Sequence, residues 1–271
     1  MSGAALFDLL DERAVRATEL ARGPWSPEAL HGGPVAGLLA RAVELHDHDD
    51  IEWFVARLTV ELERPVPTTP LTWRVVTTRP GRKVALVEVE LRSVELDRVV
   101  ARARALRIRD GHVHLPMDDP GSAPHLVLAG PPPGPETVSA TVSTMNDYVG
   151  YHNTATEHRF IEGSWSEVGP AIDWVRLRHP LVAGEETTAL QRVACTVDFA
   201  NGIGRVLDTD DYTFINPDVT LHQFRPAHGE WVGLASRSHM GEHGVGMSDT
   251  AVYDTQGRVG RSNQSILIEP R

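Results

Sequence analysis

Cysteine and lysine are nearly missing from this chain of 271 residues, which holds one of each, Cys195 and Lys83. A single thiol excludes an intramolecular disulfide and any cysteine-based zinc site. No apolar run approaches the roughly 20 residues that a membrane-spanning helix needs. The opening stretch MSGAALFDLLDERAV places acids where an export signal carries basic residues, so the expected location is the cytoplasm. Basic residues are outnumbered, 26 Lys+Arg against 37 Asp+Glu, and the net charge of −11 argues against nucleic acid as a partner. Also missing are a Gly-rich phosphate loop of the P-loop or Rossmann type, an HExxH zinc motif and a G-x-S-x-G elbow. No cofactor and no metal are therefore expected. What remains, 41% hydrophobic residues with a mean hydropathy of −0.23, is a globular composition long enough for two modest domains.

Charge is uneven along the chain. Residues 57–109 hold eleven arginines and Lys83 against six acids. This pattern reads first as the solvated face of a sheet, and second as an electrostatic guide for an anionic ligand.

The chain also repeats itself. LTVELERP (58–65) and VTLHQFRP (219–226) align with Thr59 on Thr220, Arg64 on Arg225 and Pro65 on Pro226. Further on, DRVVARARALRI (97–108) meets GRVGRSNQSILI (257–268), with Arg98 on Arg258 and Leu106 on Ile266. Each match is weak alone, but their order and near-constant offset point to two copies of one structural unit. Each copy opens with a candidate helix. SPEALHGGPVAGLLARAVEL offers Ser26 as N-cap, with HGGP interrupting before Val35; TTALQRVACTVDFANG has a Thr cap and stops at Asn201-Gly202. Strand-like segments follow: WFVARLTVEL, LTWRVVTTR, VALVEVELRSVEL and VVARARALRIR alternate apolar with polar residues between Pro and Gly turns. One helix followed by an antiparallel meander is an α+β unit. Residues 116–145 have Pro-rich linker composition, which divides the chain into units at 1–115 and 146–271.

A long helix wrapped by an antiparallel sheet, duplicated across a Pro-rich linker, resembles the double hotdog of the thioesterase II acyl-CoA thioesterases. LHGGPVAGLLARA resembles the family's first hotdog helix, and ACTVDFANGIG, FINPDVTLHQFRP and GRSNQSILIEP resemble its C-terminal half. The resemblance implies hydrolysis of an acyl-CoA to free acid and coenzyme A, and a homodimer or larger homo-oligomer.

Pattern alone singles out several residues. Asp198 lies on the edge of the apolar stripe Leu190, Val193, Ala194, Val197, where partial burial and the helix C-terminus both push a carboxylate pKa upward, as a general base requires. Gln264 shares the buried face of the last strand with Ile266 and Ile268; its counterpart in the first copy is Arg104. Asn216 precedes Pro217, opposite Val55 of the first copy. This polar set occurs once, in the second copy, as one active site in a duplicated frame would. The resembled family holds a hydrolytic water with an Asp, a Thr or Ser, and a Gln. Asp198 and Gln264 match two of these, and the hydroxyl position falls on Asn216, a departure, with Thr220 as the fallback. Together they imply direct attack by a water on the thioester. His31, Gly32, Gly33 and Thr220 are candidate substrate contacts, the glycines because they let backbone come close.

Other readings stay open. FINPDVTLH resembles part of a hotdog hydratase run that pairs Asp with His, but Phe214 stands where the Asp belongs. An acyl-CoA or lipid-binding protein with a degraded site is the non-catalytic alternative. HDHDD (46–50) has metal-ligand residue types but reads as a solvated turn, Cys195 as a small buried hydrophobe, and Trp174 as a core aromatic before an acyl-pocket one.

Overall fold

The computed structural model describes residues 4–46, 51–111, 113 and 130–271. Residues 47–50 of the HDHDD run and 114–129 of the Pro-rich region lie outside the described residues.

The alternating segments form strands close to their sequence limits: β3 (Trp53–Leu62), β4 (Leu71–Arg79), β5 (Val84–Ser93) and β6 (Arg98–Arg109). A hairpin, β1 (Phe7–Asp11) and β2 (Ala14–Ala17), precedes them, and helix α1 (Gly32–Glu44) lies between hairpin and meander. The second half has β7 (Thr156–Glu162), β8 (Ala171–Leu177), α2 (Ala189–Val197), α3 (Ala200–Ile203) and β9 (Tyr212–Ile215). Then come β10 (Asp218–Gln223), β11 (Trp231–Met240), β12 (Val245–Asp254) and β13 (Gly257–Pro270).

Both helix starts obey local chemistry. Ser26 does not cap α1; its N-cap is His31, and Gly32-Gly33-Pro34 forms the first turn rather than an interruption, because the proline nitrogen sits where no intrahelical bond is required. Thr188 caps α2 reciprocally with Gln191. The second helix does not run unbroken to Asn201. It ends at Val197, Asp198 is its C-cap, and α3 restarts after Phe199. Thr196 Oγ1 donates back to the carbonyls of Arg192 and Val193 at 3.2 and 2.9 Å, a bond that competes with the regular ladder and bends helices.

One antiparallel sheet runs β1-β2-β4-β5-β6-β3-β10-β13-β12-β11-β8-β7, with β9 beside β13. The order mirrors about the β3–β10 junction. There Thr220 stands opposite Thr59, Asp218 opposite Glu61 and His222 opposite Arg57. Adding the offset of 161 that separates Thr59 from Thr220 maps this register onto itself, so a local two-fold axis passes through the threonine pair. The Arg-Pro motifs match in geometry too: Arg64 Nε donates to the Val99 carbonyl at 3.1 Å, and Arg225 Nε to the Arg258 carbonyl at 3.0 Å.

That equivalence shifts the last-strand match by one residue. Thr59 faces Arg104 and Thr220 faces Asn263, so the counterpart of Gln264 is Ala105 and not Arg104. The turn from β5 to β6 is longer than that from β12 to β13, and an ungapped match carries the difference into the strand. A one-residue slip exchanges the faces of a strand. In the corrected register a buried alanine, rather than an exposed arginine, stands where the second half has Gln264.

Helices α1 and α2 pack on each other inside the sheet, and the core joins both halves, with Leu38, Leu39, Val193 and Cys195 among side chains at 0–1% exposure. Full burial of a leucine contributes about 1.5–3 kcal/mol. On the solvent face of the first meander, Arg102 pairs with Glu63 and Glu90, Arg104 with Glu88, and Arg92 with Asp97. These arginines sit in cross-strand pairs and local turns, as on a solvated sheet face. Trp174 is fully buried, its indole N–H donating to the Pro133 carbonyl at 2.7 Å.

Arg225 also carries a testable electrostatic role. Its guanidinium grips Asp254 at 2.5 and 2.7 Å, and the N–H groups of His228, Gln256 and Gly257 point at the same carboxylate. Burial alone raises the Asp254 pKa, but Arg225 and these donors outweigh it and hold the group at about 2, against 3.8 for a free side chain. A depressed carboxylate contributes stability that is complete above its unfolded pKa and lost as pH falls through its folded one. The pair is therefore expected to contribute on the order of 1–2 kcal/mol above pH 3.8, lost as pH falls toward 2. Urea midpoints measured from pH 5 to pH 2.5 check this: Asp254→Asn should lower the pH 5 midpoint and flatten the acid slope. An unchanged slope rejects the account.

Candidate active site

Asp198 closes α2 with its carboxylate almost fully buried. Three donors converge on it. His31 Nδ1 lies 2.9 Å from Oδ2, Asn216 Nδ2 donates to Oδ1 at 2.8 Å, and the Gly33 N–H, in the first turn of α1, also bonds to it. His31 Nδ1 also lies 3.1 Å from the Gly33 nitrogen. One ring nitrogen cannot donate and accept at once. An ionised carboxylate accepts only, so the proton sits on Nδ1 facing Asp198, and the Gly33 N–H belongs to the carboxylate.

The sequence expectation of an elevated Asp198 pKa does not hold. Burial pushes the carboxyl up, but the His31 hydrogen bond and charge, the Asn216 amide and the Gly33 N–H together hold it below the usual carboxylate range. The helix that carries Asp198 presents its C-terminus to the group. The N-terminus of α1, invisible from that segment, is aimed at it and reverses the sign.

Glycine makes this approach possible. A Cβ on Gly32 would sit 2.6–2.8 Å from the Asp198 carboxylate, and one on Gly33 would stand 2.2 Å from the Cys195 carbonyl oxygen. Their close approach is thus to Asp198 and to α2. Tyr151 OH donates to that same carbonyl at 2.8 Å. His31 packs against both Tyr151 and Phe199, with ring centroids 5.0 and 4.7 Å away, and those two rings stack on each other at 5.2 Å. The Cys195 thiol is fully buried, which pushes it up to about 12, so it is inert as a nucleophile.

Gln264 is buried on β13. Its Nε2 donates to the carbonyls of Val197 and Asp198 at 3.4 and 3.3 Å, the carbonyls freed where α2 breaks, and its Oε1 is buried without a partner among the described residues. Thr220 Oγ1 donates to Thr59 Oγ1 at 3.2 Å on the local axis. His222 of the hydratase-like run is exposed on β10.

A cavity of about 410 Å³ opens beside Asp198. Asp198, His31, Gly32 and Asn216 line it with the apolar side chains of Trp25, Val35, Leu62, Val66, Phe214 and Ile215; Gln264, Thr220, His222 and Trp174 do not. Among the lining residues that sequence reasoning missed are His152, Trp165 and Arg205, and it also missed the neighbouring buried pair His158–Asp173 at 2.6 Å. Asp173 carried one signal, a lone acid inside the apolar run AIDWV. The histidines had none, since His152 and His158 reach the site from a π-type turn at Tyr151–Ala155 and from β7. Among the described residues no group of three or more His, Cys, Asp or Glu side chains could hold a metal, and no helix is long and apolar enough to cross a membrane.

The geometry can be set beside known proteins. Residues 21–108 match the family model for the acyl-CoA thioesterase N-terminal domain, and residues 128–268 match that for the C-terminal domain. A Thermobifida fusca YX protein described as a thioesterase II superposes with a TM-score of 0.73 at 17% identity, over 97% of this chain and 95% of that one. An acyl-CoA thioesterase II from Mycobacterium marinum gives 0.65 at 15% identity, over 98% and 95%. A hot-dog-fold protein of unknown function from Alicyclobacillus acidocaldarius gives 0.70 at 14%, over 96% and 95%. At these identities the structural likeness speaks for the hotdog fold, and the family models speak for the lineage. A search of curated proteins finds no match. With both family domains matched in order, the chain belongs to the acyl-CoA thioesterases, a family of thioester hydrolases.

Proposed function

We propose that the chain is a double hotdog, with units at 1–115 and 146–271, whose single active site hydrolyses a fatty or related acyl-CoA through a water activated by Asp198 acting together with His31. The observation that carries this is the buried Asp198 carboxylate on the cavity wall, held by His31, Asn216 and the first turn of α1.

A carboxylate kept below its usual range is a poor proton acceptor by itself. Its imidazole partner supplies the acceptor. In the reacting form the His31 ring is neutral, so its charge no longer acts on Asp198. The Nδ1–H bond, the Asn216 amide and the Gly33 N–H still hold the carboxylate, and the lone pair lies on Nε2, for which the described residues provide no bond. The water therefore gives its proton to His31 Nε2 while its oxygen attacks the thioester carbonyl carbon. Asp198 selects the tautomer and stabilises the imidazolium that forms. The N-terminus of α1 and the second N–H of Asn216 supply donors for the developing oxyanion. Collapse breaks the C–S bond, and the departing thiolate takes the proton from His31, leaving acid and free coenzyme A. Gln264 acts as a positioning residue through the Val197 and Asp198 carbonyls. Thr220 takes no part in this scheme.

The test is thiol release from a panel of acyl-CoAs, with enoyl absorbance followed in parallel, for wild type and Asp198→Ala. Thiol release by wild type that falls at least about a hundredfold in the variant is the expected result. Equal rates sink the reading, enoyl loss without thiol selects a hydratase, and saturable binding without turnover selects a carrier.

A further inference from the structure

Beyond the reacting pair, residues of the same cavity wall carry buried polar atoms that bond nothing among the described residues. Among the described residues, His152, 2% exposed, has no partner on either ring nitrogen, and Trp165 Nε1, Arg205 Nε and Asn201 Oδ1 are likewise buried and unpartnered. All four residues line the cavity that Asp198 lines. Two of them are joined directly: Arg205 Nη2 donates to the Trp165 carbonyl at 2.8 Å, and its Nη1 to that of Gly202 at 3.3 Å. The Trp165 ring lies 6.4 Å from that of Phe199, the residue after Asp198, and Asn201 sits on α3.

A plain hydrocarbon chain satisfies none of these groups, and each buried polar group left unpaired costs about 1–3 kcal/mol. Arg205 is the sharper anomaly. It is 9% exposed and forms no ion pair among the described residues. Burial pushes its pKa down, with only the nearby charge of Asp208 acting the other way. A buried guanidinium calls for a counter-charge, which water does not supply. Donors also prevail in this corner. Arg205 Nε–H and Trp165 Nε1–H are donors only, and His152 contributes one N–H as a neutral ring, since burial and the neighbouring histidines His31 and His158 push it down to about 3.

We propose that this part of the cavity binds a carboxylate at the far end of the acyl chain, so that the favoured substrates are CoA monothioesters of dicarboxylic acids. The thioester end of that statement rests on the thioesterase reading, whereas the carboxylate subsite can be measured without turnover.

Calorimetry with octanamide and suberic acid monoamide isolates it, because the two probes differ only at the distal end. Wild type is expected to bind the monoamide at least about tenfold more tightly, the worth of one charge-assisted hydrogen bond. Arg205→Met should bring the ratio close to one. Trp165→Phe, which removes one N–H and keeps the ring, should lower it severalfold and serves if Arg205→Met does not fold. Equal binding of the two probes by wild type, or a preference that survives in both variants, overturns the proposal. Turnover of octanoyl-CoA and suberoyl-CoA by wild type completes the test. A suberoyl preference in binding with neither thioester cleaved supports the subsite and removes the thioesterase reading. Cleavage of both at equal kcat/KM, with equal probe binding, does the reverse.

Discussion

His31→Gln and Asp198→Asn should each lower kcat by on the order of 10³-fold, and the double variant should be no slower than the slower single one. The reason lies in the division of labour at 2.9 Å between His31 Nδ1 and Asp198 Oδ2. Without the imidazole the water loses its proton acceptor, because a carboxylate held below its usual range by three donors has little affinity for a proton. Without the negative charge the imidazole is free to choose the wrong tautomer, and the imidazolium forms in a buried site with nothing to balance it. Two residues that act as one device are not additive. Steady-state thiol release with a saturating acyl-CoA measures the effect, and thermal melts of each variant separate it from unfolding. Singles that multiply to about 10⁶ in the double would mean that the two groups act independently, and a His31→Gln protein near wild-type speed would return the proton to Asp198 itself.

How far the sequence carries can be judged at these same residues. Strands β3 to β6 were legible because apolar and polar side chains alternate along most of their length, and the repeat pointed to partners in the second half. Asp198 stood out on the edge of an apolar stripe and Asn216 opposite an apolar residue of the first copy, and the structure brings them to 2.8 Å. The short hairpin β1–β2 and strands β7 and β8 escaped, since FDLLD mixes acids with leucines and gives no clean period. The direction of the Asp198 pKa was not legible. It depends on the N-terminus of α1, which arrives from more than 150 residues away in sequence, as does His31. The same holds for His152, Trp165 and Arg205, whose unmatched polar atoms acquire meaning only when three separate segments meet at one cavity.

Packing of α1 on α2 leads to the second large effect, and it concerns a substitution that helix propensity alone would favour. Replacing an interior helical glycine by alanine ordinarily stabilises a helix by about 1 kcal/mol. At Gly37 the new Cβ would stand 2.2 Å from Cys195 Sγ and 3.2 Å from Leu181 Cδ1. Both neighbours are fully buried, so neither has space into which to withdraw. Gly37→Ala should therefore destabilise by about 3 kcal/mol, a fall in Tm on the order of 5–10 °C. Cys195→Ala alone leaves a small void and costs about 1 kcal/mol. Combined, the two changes exchange a methyl for a sulfur across one contact, and most of the loss should return, with a coupling energy of about 2 kcal/mol. Gly33→Ala is the control, because its clash at 2.2 Å is with the Cys195 carbonyl, a backbone atom that Cys195→Ala leaves in place. That variant should remain destabilised in either background. It should also lose activity, since relief of the clash moves the Gly33 N–H and His31 away from Asp198. Denaturation of the six proteins in this cycle decides the matter. A Gly37→Ala protein as stable as wild type, or one that Cys195→Ala fails to restore, would mean that the helices do not approach through these glycines.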